Sequence, residues 1–107
     1  MSRRASEFQL KTPVAESYGS CHRAVERLDW KIAESEPQRL LAKIGFGVLS
    51  NPAKIEILLK DENGTTVVRL EGKIAQFGPI ATRKLENYLN VLKEAIQLEA
   101  AQPPARP

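Results

Sequence analysis

The segment from Lys54 to Ile74, KIEILLKDENGTTVVRLEGKI, constrains the fold most. On both sides of a polar centre, mostly apolar residues recur at every second position, which is the period of a strand with one buried face. These positions are Ile55, Ile57 and Leu59 before the centre, and Thr66, Val68, Leu70, Gly72 and Ile74 after it. Asn63-Gly64 favours a tight reversal, although a loop of about four residues also fits. The segment predicts a β-hairpin.

Two amphipathic helices flank this hairpin in the sequence. Thr12-Pro13 is typical of an N-cap followed by proline in the first helical turn. The apolar positions that follow share one helical face: Val14, Tyr18, Cys21, Val25 and Leu28. A second helix is predicted over 79–98, with its apolar stripe at Ala81, Leu85, Tyr88, Leu89, Leu92 and Ile96.

Shorter alternating segments complete the predicted architecture. Phe8 and Leu10 indicate a first strand, and further strands are predicted over 30–34 and 40–46. The order is β-α-β-β-β-β-α. An antiparallel meander with one apolar face needs a cover, so we predict an α+β fold with about five strands and two helices on one face.

Composition places the chain among single-domain globular proteins. Its 107 residues carry a formal charge of +3 and one cysteine, and no apolar segment is long enough to span a bilayer. A basic start without a following apolar region argues against a signal peptide, so we expect a cytoplasmic protein. We predict a disordered N-terminus over 1–6, one domain over 7–98, and a tail rich in proline and alanine over 99–107.

Several segments together carry a resemblance to known proteins. They are Ala24-Val25-Glu26-Arg27-Leu28-Asp29-Trp30-Lys31-Ile32, Leu41-Ala42-Lys43-Ile44-Gly45-Phe46, the hairpin, and Phe77-Gly78 before the last helix. Over roughly residues 7 to 98 the chain resembles small bacterial domains of unknown function. Those domains are similar in architecture to one half of the TATA-binding protein or to a short helix-grip domain. The resemblance implies a fold but does not indicate any particular activity, because such scaffolds carry unrelated functions.

The sequence contains no recognisable catalytic or metal-binding motif. Cys21 and His22 are neighbours on a predicted helix, where their side chains point about 100° apart. One cysteine and one histidine fall short of a zinc site, and Gly45-Phe46-Gly47 lacks the remaining residues of a phosphate-binding loop. We therefore expect no cofactor, no metal and no enzymatic activity.

Topology points to one end of the sheet as a candidate binding site. In a meander, the segments 45–53 and 75–84 and the start of the Trp30 strand share one end. The residues predicted to meet there are Trp30, Phe46, Val48, Leu49, Phe77, Arg83 and Lys84. Cations beside the amides of a helix N-terminus attract an anion, and the apolar residues contact a chain or a face. The same residues could instead only cap the core.

We therefore predict a non-catalytic binding module whose partner is a protein or an anionic amphiphile. One alternative is a structural homo-oligomer, such as a homodimer, formed through an unpaired edge strand or through the outer sheet face. On that face Leu41, Leu58 and Val67 lie among charges expected to pair across strands. Another is a small helix-grip enzyme with a pocket between sheet and helix. The mixed charge of that face and the presence of one repeat argue against a nucleic-acid partner.

Overall fold

The computed structural model describes residues 2–45, 53–75 and 78–101. Its elements follow the predicted order, with two helices and five strands. They are β1 (Ser2–Leu10), α1 (Val14–Arg27), β2 (Lys31–Glu36), β3 (Arg39–Ile44), β4 (Ala53–Glu62), β5 (Thr65–Ile74) and α2 (Pro79–Ala101). The predicted α+β class and element order are confirmed.

The five strands form one antiparallel sheet in the order β1-β5-β4-β3-β2. The β4–β5 hairpin has the two-residue turn, since Glu62 pairs with Thr65. Asn63 and Gly64 both have positive φ, 55° and 85°, as that tight turn requires. β1 then pairs with β5 on its other side, so the first strand of the chain lies next to the last.

The two helices cover one face of the sheet. The core consists of the inward-facing strand residues together with the apolar stripes of both helices, and it includes Leu40, Ile55, Ile57, Leu70, Leu85, Leu92 and Ile96. Arg23 and Arg27 of α1 both bind the carboxylate of Glu99 on α2, at 3.1 Å and 3.0 Å, and join the helices at their outer rim. The alternation of strand residues thus sets which face is buried, and the helical stripes fill that face.

Three predicted boundaries differ from the structure. β1 begins at Ser2, earlier than the strand that Phe8 and Leu10 indicated, and the backbone groups of residues 2–6 pair with β5 from Ile74 to Leu70. α2 continues to Ala101, three residues beyond its predicted end. Pro13, not Thr12, is the N-cap of α1, and the Thr12 carbonyl instead accepts hydrogen bonds from the hydroxyls of Ser17 and Thr66.

Candidate functional site

Trp30 is positioned by the way α1 ends. Leu28 caps the helix, and Asp29 has a left-handed φ of 60°. The Asp29 N–H then donates to the Glu26 carbonyl at 3.0 Å, and the Trp30 N–H donates to the Val25 carbonyl at 3.1 Å. These two bonds form a Schellman motif, which reverses the chain sharply and fixes Trp30 at the start of β2.

Trp30 also contacts the second helix. Its ring meets the ring of Tyr88 edge to face, with 5.9 Å between centroids and an interplanar angle of 82°. Both side chains are half-buried, and both pack against the core. This aromatic pair therefore joins the start of β2 to α2 at the edge of the core.

The first turns of α2 carry the predicted cations. Arg83 and Lys84 are both exposed, two turns or less from Pro79. Ile80 beside them is 82% exposed, more than any other large apolar residue that the structure describes. We call this end, with Trp30, Ile80, Arg83, Lys84 and Tyr88, the α2 end.

Of the seven predicted site residues, the structure describes three. Trp30 lies just before β2 and contacts Tyr88, while Arg83 and Lys84 lie in the first turns of α2. Phe46, Val48, Leu49 and Phe77 lie outside the described residues. The role of all seven in binding stays a prediction. The sequence pattern could have suggested Tyr88, which lies on the apolar stripe of α2, whereas Ile80 lies off that stripe.

The outer face of the sheet has part of the charge pairing across strands that we expected, since Arg39 binds Glu34 and Glu56 and Arg69 binds Glu7. One row near the end of the sheet differs. Register places five cations opposite one another in one row across all five strands, in the order Arg3, Lys73, Lys54, Lys43, Lys31. All five are exposed. Like charges opposite one another destabilise a sheet, so the stability of the sheet does not explain this row. We call these residues the cationic row.

The outer-face row next to the cationic row, further from the α2 end, contains carboxylates. Arginines of the row beyond it bind these carboxylates. Arg39 donates hydrogen bonds to Glu34 at 2.7 Å and to Glu56, and Arg69 donates to Glu71 at 2.7 Å. The bond from Arg39 lowers the pKa of Glu34 below its ordinary value, with smaller contributions from Lys43 and Lys54. Among the described residues, the cationic row forms no ion pair within 4.0 Å.

The candidate nucleophile and base on α1 do not face each other. Cys21 is fully buried, and burial raises the pKa of its thiol to about 12. His22 is partly exposed, and its Nδ1 lies 3.1 Å from Glu26 Oε1. A thiol that stays protonated is a poor nucleophile, so the structural interpretation of Cys21 fits these contacts.

The interface between α2 and β5 is closely packed. A Cβ added to Gly72 would lie 2.8 Å from Leu85 Cδ1 and 3.3 Å from Leu89 Cδ2. Leu85 is fully buried. No group of three or more histidine, cysteine, aspartate or glutamate side chains that could hold a metal occurs in residues 2–45, 53–75 and 78–101. Over the same ranges, neither helix is long and apolar enough to cross a bilayer.

Comparison with solved structures shows which known folds this chain resembles. The protein MLL2253 from Mesorhizobium loti matches with a TM-score of 0.73 and 12% identity, over 97% of this chain and 100% of that one. CalU16 from Micromonospora echinospora matches with a TM-score of 0.71 and 13% identity, over 92% of this chain and 76% of CalU16. DynU16, a protein in the dynemicin biosynthetic locus, matches with a TM-score of 0.72 and 13% identity, over 96% of this chain and 49% of DynU16.

These likenesses show a helix-grip-like α+β fold. The similarity to half of the TATA-binding protein stays a prediction. No protein-family model matches the chain, and no curated protein matches it.

The same likenesses correct one expectation. The prediction that the chain is not an enzyme conflicts with these likenesses and does not follow from the fold, because the fold shared with CalU16 and DynU16 is often enzymatic. That prediction depended on the absence of contiguous catalytic motifs. A helix-grip fold collects polar groups from separate strands, so a catalytic site there leaves no such motif in the sequence.

Proposed function

We propose that this protein binds an amphiphile with one acidic head and an apolar tail at the α2 end. The observation that carries the proposal is the exposure of Ile80, 82%, directly beside the exposed cations Arg83 and Lys84. An exposed isoleucine offers apolar contact to a tail, and two neighbouring cations attract the head.

The aromatic pair gives this end a semi-rigid apolar edge. Trp30 and Tyr88 are half-buried and pack against the core, so part of each side chain stays accessible. Rings held in this way lose little conformational entropy when a ligand packs on them. Phe46, Val48, Leu49 and Phe77 belong to the proposal from the sequence alone, since their segments connect to this end of the sheet.

Packing of the described interior favours this end over the helix–sheet interface as the ligand's place. Leu85, Leu89 and Leu92 are at most 4% exposed, and Gly72 has no space even for a methyl group. A ligand between α2 and β5 would have to displace these side chains, at a cost comparable to overpacking a core. An amphiphile at the α2 end needs no such displacement of these residues.

The test uses the only tryptophan of the chain as its reporter. We expect monomeric decyl phosphate to change the emission of Trp30 in a saturable way, and decanol to bind more weakly. Charge reversal by Arg83→Glu with Lys84→Glu should weaken decyl phosphate binding roughly tenfold, since exposed charges contribute up to about 1 kcal/mol each.

Lys11→Glu with Lys60→Glu is the matched control, because it changes net charge equally at the opposite end of the sheet. Lys60 lies in β4 close to the hairpin turn, and Lys11 directly follows the end of β1. We expect this control to bind nearly as the parent protein does. Absence of saturable binding by the parent protein, or equal weakening in both variants, would contradict the proposal.

A further inference from the structure

The cationic row lies at the α2 end of the outer sheet face. Its members lie opposite one another in the register of every pair of neighbouring strands, from Arg3 opposite Lys73 to Lys43 opposite Lys31. Neighbouring strands lie about 4.8 Å apart, so the row is about 19 Å long. It is the outer-face row nearest to the ends of β3 and β5 at Ile44 and Ile74.

Charge is ordered along the strands behind this row. The next outer-face row contains Glu34, Glu56 and Glu71, about 7 Å further from the α2 end. These carboxylates are bound by Arg39 and Arg69, which lie still further away. The outer face is therefore positive at its end and locally compensated behind it.

This ordering suits an anionic plane that meets the end of the protein. A plane approaching the whole outer face would contact the carboxylates as well as the cations. Of the described residues on the outer face, a plane approaching the α2 end meets the cationic row before the carboxylates, and on the helix side it meets Ile80 with Arg83 and Lys84. We propose that the cationic row docks the protein end-on to a bilayer containing anionic lipids.

A nucleic acid fits the same surface less well. Single-stranded nucleic acid binds where aromatic rings stack on bases next to a basic groove. The outer-face positions of the described strands contain no aromatic residue, since Phe8 lies on the inner face and Trp30 packs on Tyr88. A strand of nucleic acid would thus find phosphate contacts here and nothing to hold its bases.

The proposal is tested by sedimentation with vesicles of phosphatidylcholine alone and of phosphatidylcholine with phosphatidylglycerol. We expect binding to the mixed vesicles only, and weaker binding at higher salt. Lys43→Gln with Lys54→Gln should lower the partition coefficient about 25-fold, because each basic residue near an anionic surface contributes about fivefold. Lys11→Gln with Lys60→Gln has the same net charge and should change it far less.

Two further measurements on Lys43→Gln with Lys54→Gln show whether weaker vesicle binding comes from the cationic row. Its melting temperature tests for loss of folding, and its binding of decyl phosphate tests the proposed function separately. Lys43→Gln with Lys54→Gln removes repulsion between facing strands, so its melting temperature should equal or exceed that of the parent protein. It should still bind monomeric decyl phosphate. Vesicle binding that is equal in the two variants, equal on neutral vesicles, or absent would overturn the proposal. A single-stranded or duplex oligonucleotide bound through this row, without vesicle binding, would assign the row to nucleic acid instead.

Discussion

Leu85 of α2 lies directly on the backbone of Gly72 in β5, so closely that a Cβ on residue 72 would come within 2.8 Å of Leu85 Cδ1. Leu85 is fully buried, and Leu89 Cδ2 would lie 3.3 Å from the same Cβ. Neither leucine can move aside without disturbing the core. Glycine at 72 therefore sets how closely α2 approaches the sheet.

Gly72→Ala should destabilise the protein by about 1–3 kcal/mol, because the added methyl group overpacks this contact. Chemical denaturation measures the change. In a Leu85→Ala background the same substitution should cost at least about 1 kcal/mol less, since the clashing atom is gone. Gly19→Ala is the control: its Cβ would meet only the tip of Arg23 at 3.1 Å, and alanine favours the helix interior, so this variant should gain stability. Equal costs at 72 in both backgrounds would refute the contact.

Cys21 should be protected from thiol reagents in the native protein. Its side chain is fully buried, and burial raises its pKa from 9.0 to about 12. Ellman's reagent at pH 8 should report one thiol in urea and almost none without it. Fast reaction of the folded protein would show that α1 opens readily.

The same burial makes stability fall at high pH. The folded state holds the thiol proton up to about pH 12, while the unfolded chain releases it near 9.0. Stability from this group is thus complete below 9.0 and is lost as pH rises, by about 1.4 kcal/mol per pH unit. Compared with Cys21→Ala, the parent protein should show this additional slope in urea denaturation between pH 9 and 11. Parallel slopes would contradict it.

Arg39 should control the ionisation of Glu34. The hydrogen bond between them lowers the pKa of that carboxyl, so their pairing stabilises the fold above the ordinary glutamate range and is lost as pH falls through the lowered pKa. In Arg39→Gln, carbon NMR of the Glu34 carboxyl should show its titration midpoint shifted upward. Arg69→Gln is the control, since Arg69 contacts Glu7 and Glu71 and leaves Glu34 unchanged.

Most of the fold could be predicted from the alternation of apolar residues in the strands and from the apolar stripes of the helices. Ile55, Ile57, Val68 and Leu70 are all fully buried, as the hairpin pattern predicted. The pairing partner of β1 could not be predicted in the same way. Ser2 to Ser6 have no apolar alternation, and their strand depends on backbone bonds to the free edge of β5.

Much less of the candidate site could be predicted. The sequence shows Lys31, Lys43, Lys54 and Lys73 as residues far apart in the chain. Only the pairing register reveals that they face one another, because a shift of one residue would move each to the other face. The contact of Glu34 with Arg39 also depends on a register shift in β2 between Ile32 and Glu34. Alternation along the chain therefore predicted charge pairing across strands, which Arg39 and Arg69 make, but not the cations of the cationic row facing one another.

Asp29 offers a gain in stability at the turn that positions Trp30. Its φ of 60° is unfavourable for a residue with a Cβ and free for glycine. Asp29→Gly should raise the free energy of unfolding by about 1 kcal/mol, measured by denaturation. Asp61→Gly is the matched control, because Asp61 lies within β4, where glycine weakens a strand. The emission of Trp30 should stay unchanged in Asp29→Gly, since both hydrogen bonds of the cap use backbone atoms only. A loss of stability, or a red-shifted emission, would show that the Asp29 side chain itself holds the turn.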